Sequence, residues 1–178
     1  MQLQNPVPQA EFEELVHQFR PSQTFPPAPT VAVEVAVAGD DGMTGGVGID
    51  LVETKTLEEL IAAGGQAFVD SAWSTTEQHD AEGSIERLAT RWAAKEAVMK
   101  ALRCGLGDLE PLDVEIRTGT DGAPDIVLHG NARHAASTRG LHSWHISMCH
   151  ERGWAVAIAI AERTLPEPGQ RPEGTDHD

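Results

Sequence analysis

Residues 84–107 read SIERLATRWAAKEAVMKALRCGLG, and the fold turns on how this stretch is read. Ser84 is a helix N-cap residue, nothing from Ile85 to Arg103 is Gly or Pro, and Gly105 and Gly107 follow. Those signals predict a helix over 85–103, ended by the glycines. Its apolar residues, from Ile85 and Leu88 through Trp92 and Val98 to Leu102, fall on nearly every side. A helix of that kind is buried. The charged groups inside it, Arg91, Lys95, Glu96 and Lys100, therefore need partners or ligands.

Outward from this helix, Val47–Val52 reads as a strand. Thr56 and Glu59 form a capping-box pattern that opens a helix toward Phe68, weakened in its middle by Gly64 and Gly65. Ser74 and Glu77 make a second capping box. Val114–Arg117 and Ile126–Leu128 flank a Gly- and Pro-containing turn and predict a hairpin. Asn131–Arg139 reads as a short helix. Trp144–Met148 and Trp154–Ala161 read as closing strands around a His150–Gly153 turn. Helices and strands mix without strict alternation, so the class is α+β.

These elements lie in residues 47–162, long enough for one modest core. Residues 1–46 form an extension. In it Phe12, Leu15, Val16 and Phe19 have helical spacing, Pro21 stops the pattern, and Val31–Ala38 reads as a strand. Residues 163–178 read as a disordered tail.

The chain has 178 residues and a formal net charge of −15. That excess opposes a nucleic-acid backbone or an anionic membrane as partner. No run of 18 apolar residues is present, so no transmembrane helix is expected. No signal-peptide pattern is visible. Two cysteines, Cys104 and Cys149, are too few for a disulfide scaffold, which points to a reducing, cytoplasmic setting.

Two carboxylates stand out. Glu96 falls between Trp92 and Met99 on the helix, with Ala89 and Ala93 alongside. Lys100, four residues on, offers a plain Glu–Lys helix pair, and a metal ion is the other way to keep a carboxylate in apolar surroundings. Asp50 interrupts the apolar run of the first strand, two residues after Gly48, which lets a ligand or another backbone come close. Together Asp50 and Glu96 would make a hard, oxygen-rich site suited to Mg²⁺, with the rest of its shell from water and phosphate. The chain has three lysines, and Lys95 and Lys100 lie close to Arg91. That basic cluster could grip phosphates or simply reach solvent. His142, His145, Cys149 and His150 offer a rival zinc reading, though their spacing matches no strong pattern. His150, beside a turn, is a candidate site residue.

In order, Val-Gly-Ile-Asp-Leu-Val at 47–52, Arg-Trp-Ala-Ala-Lys-Glu-Ala-Val-Met-Lys-Ala at 91–101 and Trp-His-Ile-Ser-Met-Cys-His at 144–150 resemble the holo-[acyl-carrier-protein] synthases, the short, single-domain 4′-phosphopantetheinyl transferases. The resemblance spans residues 47–162. It implies an antiparallel sheet packed on a long helix, and Mg²⁺-dependent transfer of 4′-phosphopantetheine from coenzyme A to a carrier-protein serine, releasing adenosine 3′,5′-bisphosphate. It implies Asp50 and Glu96 as metal ligands and Lys100 as a phosphate contact, making these three the catalytic set. Arg91, Lys95 and His150 join Lys100 as candidate coenzyme A contacts. It also implies a homotrimer with sites between subunits. The proton lost by the serine could go to a water on the metal or to a nearby carboxylate.

Four departures bear on the partner. The core is acidic where the family's docking surface is usually basic. Thr56 stands where a basic docking residue is common. Cys149 replaces the usual Ser or Thr before His150, and the extension of residues 1–46 is not standard. A carrier domain of a large multienzyme synthase is therefore expected, with the extension shaping docking. The alternative is a non-catalytic carrier- or coenzyme A-binding scaffold of the same fold.

Overall fold

The computed structural model describes residues 44–163 and, apart from them, Glu14, which is helical. The predictions for the rest of residues 1–43 and for residues 164–178 lie outside the described residues. The elements run β1 (Thr44–Glu53), α1 (Thr54–Ala72), α2 (Thr75–Ala81), α3 (Ile85–Ala101), a 3₁₀ turn (Pro111–Asp113), β2 (Val114–Thr118), β3 (Pro124–Leu128), α4 (Gly130–Thr138), β4 (Leu141–Glu151) and β5 (Trp154–Arg163). An antiparallel sheet in the order β1-β5-β4 packs on α3, and β2-β3 forms a separate hairpin. The predicted α+β class and the sheet-on-helix arrangement both hold. Among the described residues no helix is long and apolar enough to cross a membrane.

The sheet accepts a buried helix because its inner face is built from small residues. On β5, Ala155, Ala157, Ala159 and Ala161 all point inward and are buried. On β1, a Cβ at Gly46 would lie 2.3 Å from the Ala101 carbonyl oxygen, and one at Gly48 would lie 1.9 Å from that of Ala97. Backbone, not ligand, is thus what Gly48 admits. With Ala93, Ala97 and Ala101 on the facing side, α3 reaches the sheet almost backbone to backbone. A second core cluster gathers Leu57, Leu60, Phe68, Trp73 and Trp92. Its Phe68 and Trp73 rings meet edge-on at 5.9 Å, and Trp73 and Trp92 lie 5.6 Å apart.

Several local expectations shift. Thr56 does not cap a helix; α1 starts at Thr54, whose N–H donates to the Gly153 carbonyl oxygen at 2.8 Å, and Thr56 instead donates to Glu53. Gly65, at φ 61°, kinks α1 where the glycine pair weakens it. The Ser74–Glu77 capping box forms with both hydrogen bonds, and Ser84 caps α3 as predicted. That helix ends at Ala101, earlier than expected. Arg103 takes the left-handed conformation (φ 54°), and the Cys104 N–H closes on the Met99 carbonyl. This is a Schellman-type ending with arginine where glycine is usual. The β4–β5 turn tightens to Arg152–Gly153, both left-handed, so His150 lies within β4 opposite Ala155.

Candidate active site

The register of β1 on α3 sets the site. Gly46 lies against Ala101 and Gly48 against Ala97. Two residues of strand advance about 6.7 Å and four of helix about 6 Å, so Asp50, next on the same face, comes opposite the turn at Ala93. Glu96 and Lys100 form a stripe about 60° round the helix from Ala93 and Ala97. Lys100 Nζ reaches across to donate to Asp50 Oδ1 at 2.5 Å and to the Ile49 carbonyl at 3.2 Å. Asp50 is 9% exposed, and its other oxygen, Oδ2, is buried with no hydrogen-bond partner. A buried carboxylate oxygen left open is costly unless something fills its coordination. Glu96 is half-buried one turn before Lys100. Hard oxygen donors with an open position fit Mg²⁺.

Toward the N-terminal end of α3, on the other face of the helix and at the β4 edge of the sheet, lies a separate cavity of about 440 Å³. Arg91 and His150 line it, together with Arg87, Thr90 and Thr118. Arg91 is 4% exposed, donates to Thr118 Oγ1 at 2.9 Å and lies 3.7 Å from Asp80, while its Nε is buried without a partner. Burial pushes the Asp80 carboxyl up, but hydrogen bonds from Thr118 and the Arg91 charge hold it below its usual value. Counting back from Glu96, Arg91 lies about 7.5 Å along the helix axis and about 140° around it, and Arg87 about 13.5 Å and about 180°, so both face away from the Glu96–Lys100 stripe.

Lys95 does not belong to this surface. It is 1% exposed, and its Nζ donates to Glu77 Oε2 at 2.9 Å, to the Pro111 carbonyl at 2.9 Å and to the Val114 carbonyl at 2.5 Å. All three ammonium donors are used in the core, so none is left for a phosphate. Burial pulls its pKa below the ordinary lysine value, even beside Glu77. The lysine pair of the sequence thus splits into one cation buried in the core and one that reaches Asp50 at the surface.

The histidine–cysteine set does not converge. His145 and Cys149 both lie on the outer face of β4, four residues and so about 13 Å apart, too far for one ion. His145 meets Glu162 at 3.4 Å instead. Among the described residues no group of three or more His, Cys, Asp or Glu is placed to hold a metal.

Arg87, Thr118 and Asp80 are among the cavity residues that escape the sequence reading. Arg87 sits among ordinary helix-flank charges, and nothing local marks Thr118 or Asp80, which meet α3 only through tertiary packing. Asp80 follows the visible Ser74–Glu77 box, but its acceptance of the Thr118 N–H at 3.0 Å spans 38 residues.

Residues 46–159 match the model of the 4′-phosphopantetheinyl transferase superfamily. The chain is 33% identical over 120 residues to a holo-[acyl-carrier-protein] synthase of Herpetosiphon aurantiacus, covering 64% of this chain and 94% of that one. It is 36% identical over 123 residues to part of fatty acid synthase subunit alpha of Schizosaccharomyces pombe, covering 66% of this chain and 6% of that subunit. Among solved structures it is similar to Helicobacter pylori holo-[acyl-carrier-protein] synthase in complex with coenzyme A. That likeness has 26% identity and a TM-score of 0.60, and covers 65% of this chain and 99% of the other.

Proposed function

The chain belongs to the 4′-phosphopantetheinyl transferase superfamily, and on that premise we propose that it transfers 4′-phosphopantetheine from coenzyme A to a serine of an acyl carrier protein or carrier domain. The observation that carries the reading is the buried, unpartnered Asp50 Oδ2 beside the Glu96–Lys100 stripe. Asp50 and Glu96 would hold Mg²⁺. When bound, the ion polarises the diphosphate and offsets its charge.

The chain's own residues do the rest. Lys100, already within reach of Asp50, offers its ammonium to the phosphate that departs. Arg91 and His150, at the cavity on the other face of α3, would orient the adenosine bisphosphate half of a coenzyme A held at a neighbouring subunit's Asp50–Glu96 end, in a site shared between subunits. The serine oxygen, losing its proton to a water or a nearby carboxylate, forms a bond to the phosphorus bearing the pantetheine arm, the bond to the neighbouring phosphate breaks, and adenosine 3′,5′-bisphosphate leaves. This chemistry needs positioning and charge neutralisation more than a protein nucleophile. The catalytic domain is taken as residues 47–162, with residues 1–46 and 163–178 as flanks. The free thiols Cys104 and Cys149 support a reducing, cytoplasmic setting.

A carrier domain of a multienzyme synthase is the favoured acceptor. The acidic core and Thr56 argue for it, and the likeness to a segment of a fatty acid synthase subunit supports it. The test incubates the protein with coenzyme A, Mg²⁺, and both a free acidic carrier protein and an excised synthase carrier domain. A gain of one phosphopantetheine mass on serine is expected, faster on the carrier domain. No gain on either would refute the transferase reading, and a strong preference for the free carrier would refute the choice of partner.

A homotrimer is proposed on the outer face of the sheet. The β5 alternation is inverted from the usual one: alanines face the core while large apolar residues face out. Ile49 (51% exposed), Leu51 (59%), Trp154 (46%) and Ile158 (39%) make a continuous apolar surface across β1 and β5. Such a surface is characteristic of an interface. Leu51→Glu is expected to turn a trimer into monomer by light scattering, and a wild-type chain that is already monomeric at micromolar concentration would reject the assignment.

A further inference from the structure

The exposed charges on either side of Asp50 differ in sign. Where β1 runs on into α1, Glu53, Glu58 and Glu59 are exposed against Lys55. In the other direction β1 leads back to the C-terminal end of α3, and there three exposed arginines gather. Arg103 lies two residues past the helix. Arg139 reaches the next residue, with its Nη1 3.8 Å from Cys104 Sγ. Arg163 lies over Gly45, where a Cβ would meet its Cγ at 2.9 Å, and Gly46 lies against Ala101. In a chain of 13 basic and 28 acidic residues, this is a local reversal of sign.

Among the described residues none of the three arginines makes an ion pair or donates to an α3 carbonyl, so capping of the helix does not account for them. Arg103 is the most informative. Three described residues other than glycine take the left-handed backbone: Glu82, Arg103 and Arg152. Glu82 pairs with Arg87, and Arg152 with Glu151. Arg103 has no such partner, although glycine would hold that backbone at lower cost. Leu102 keeps near-helical angles (φ −75°, ψ −6°), so the Arg103 Cα stays close to the helical path. That puts it about 10.5 Å along the axis from Glu96 and about 20° around it.

An acceptor whose serine reaches a phosphate at Asp50–Glu96 is a macromolecule. A contact of about 800 Å² a side extends about 16 Å from its centre, which takes in Arg103. Beyond about 8 Å charges are largely screened, so the local sign, and not the net −15, governs the contact. We infer that the C-terminal end of α3 is the docking surface for the acceptor, where Arg103, Arg139 and Arg163 take carboxylates exposed beside its serine. This rests on the transferase reading above, and it turns the acidic face of the carrier domain away from α1.

The test uses the full chain and an excised apo carrier domain of a synthase, one with carboxylates exposed beside its serine. Calorimetry gives the affinity, and transfer is followed at saturating coenzyme A and Mg²⁺. Arg103→Glu/Arg139→Glu is expected to weaken binding and raise KM for the carrier domain about tenfold, with kcat and KM for coenzyme A within about twofold. Added salt, or a carrier domain with those carboxylates replaced by amides, levels the difference. Arg103→Gly removes the cation and relaxes the backbone; it is expected to weaken carrier binding about two- to fivefold and to raise the unfolding midpoint by about 2–6 °C. Lys55→Glu, on α1, stays within about twofold of wild type. Unchanged carrier affinity in Arg103→Glu/Arg139→Glu, an equal loss in Lys55→Glu, a loss that persists with the amide carrier, a lower midpoint in Arg103→Gly, or no binding by the wild type would overturn the assignment. Absence of transfer alongside the expected binding differences would instead sink the transferase reading and leave the docking surface standing.

Discussion

Glu96→Gln is expected to lower phosphopantetheine transfer by about 10²–10³-fold or more, while the unfolding midpoint stays close to that of the wild type. The substitution keeps the shape of the side chain and removes only the charge. Glu96 is half-buried and not part of the sealed core, so a neutral amide there can be hydrated. Asp50→Asn is a less clean test, because Asp50 also accepts from Lys100 at 2.5 Å. Losing the metal and losing that ion pair would be hard to separate. The measurement is the transfer rate at saturating Mg²⁺ and coenzyme A, beside a thermal or urea unfolding curve on the same sample. Normal turnover by Glu96→Gln under those conditions would reject the metal assignment. A large loss of stability would mean that the carboxylate holds the fold and not an ion.

The amount that could be read ahead of the coordinates differs along the chain, for physical reasons. The α3 residues declare themselves because helical periodicity is local: a charge among apolar neighbours is visible within one or two turns. Asp50 is visible for the same reason in period two. The split between Lys95 and Lys100 is not visible. Both lie on one helix with similar neighbours, and what separates them is the 3₁₀ turn at Pro111–Asp113 and the capping carboxylate of Glu77, 18 residues away in sequence. The Ser74–Glu77 box was legible as a cap, but not the second use of its carboxylate as the counter-charge of a buried lysine. The sequence puts His150 at the edge of a four-residue turn, whereas it lies in a strand because the hairpin closes with only two left-handed residues, Arg152 and Gly153. Strand pairing decides that, and pairing is a long-range property. The cavity residues Arg87, Asp80 and Thr118 come together only through tertiary packing, for which no local signal exists.

Lys95→Met is expected to destabilise the protein by about 3–5 kcal/mol. The reasoning runs from what is left behind. Glu77 is fully buried; its Oε2 accepts from the Ser74 N–H at 2.8 Å as well as from Lys95, and its Oε1 accepts from the Ile116 N–H at 3.0 Å. Without the ammonium that carboxylate stays charged in the core or takes up a proton, and the Pro111 and Val114 carbonyls lose their donor. Each of these is a buried polar group without compensation. Methionine fills the aliphatic volume, so the loss reports the charge and not a cavity. Urea unfolding measures it, and the double variant Lys95→Met/Glu77→Leu supplies the control. Removing both charges spares the unpaired carboxylate, so the double loss should fall short of the summed single losses by about 1–3 kcal/mol. Strict additivity would deny the coupling. A Lys95→Met protein as stable as wild type but defective in transfer would return Lys95 to the phosphate-binding set from which its burial removes it.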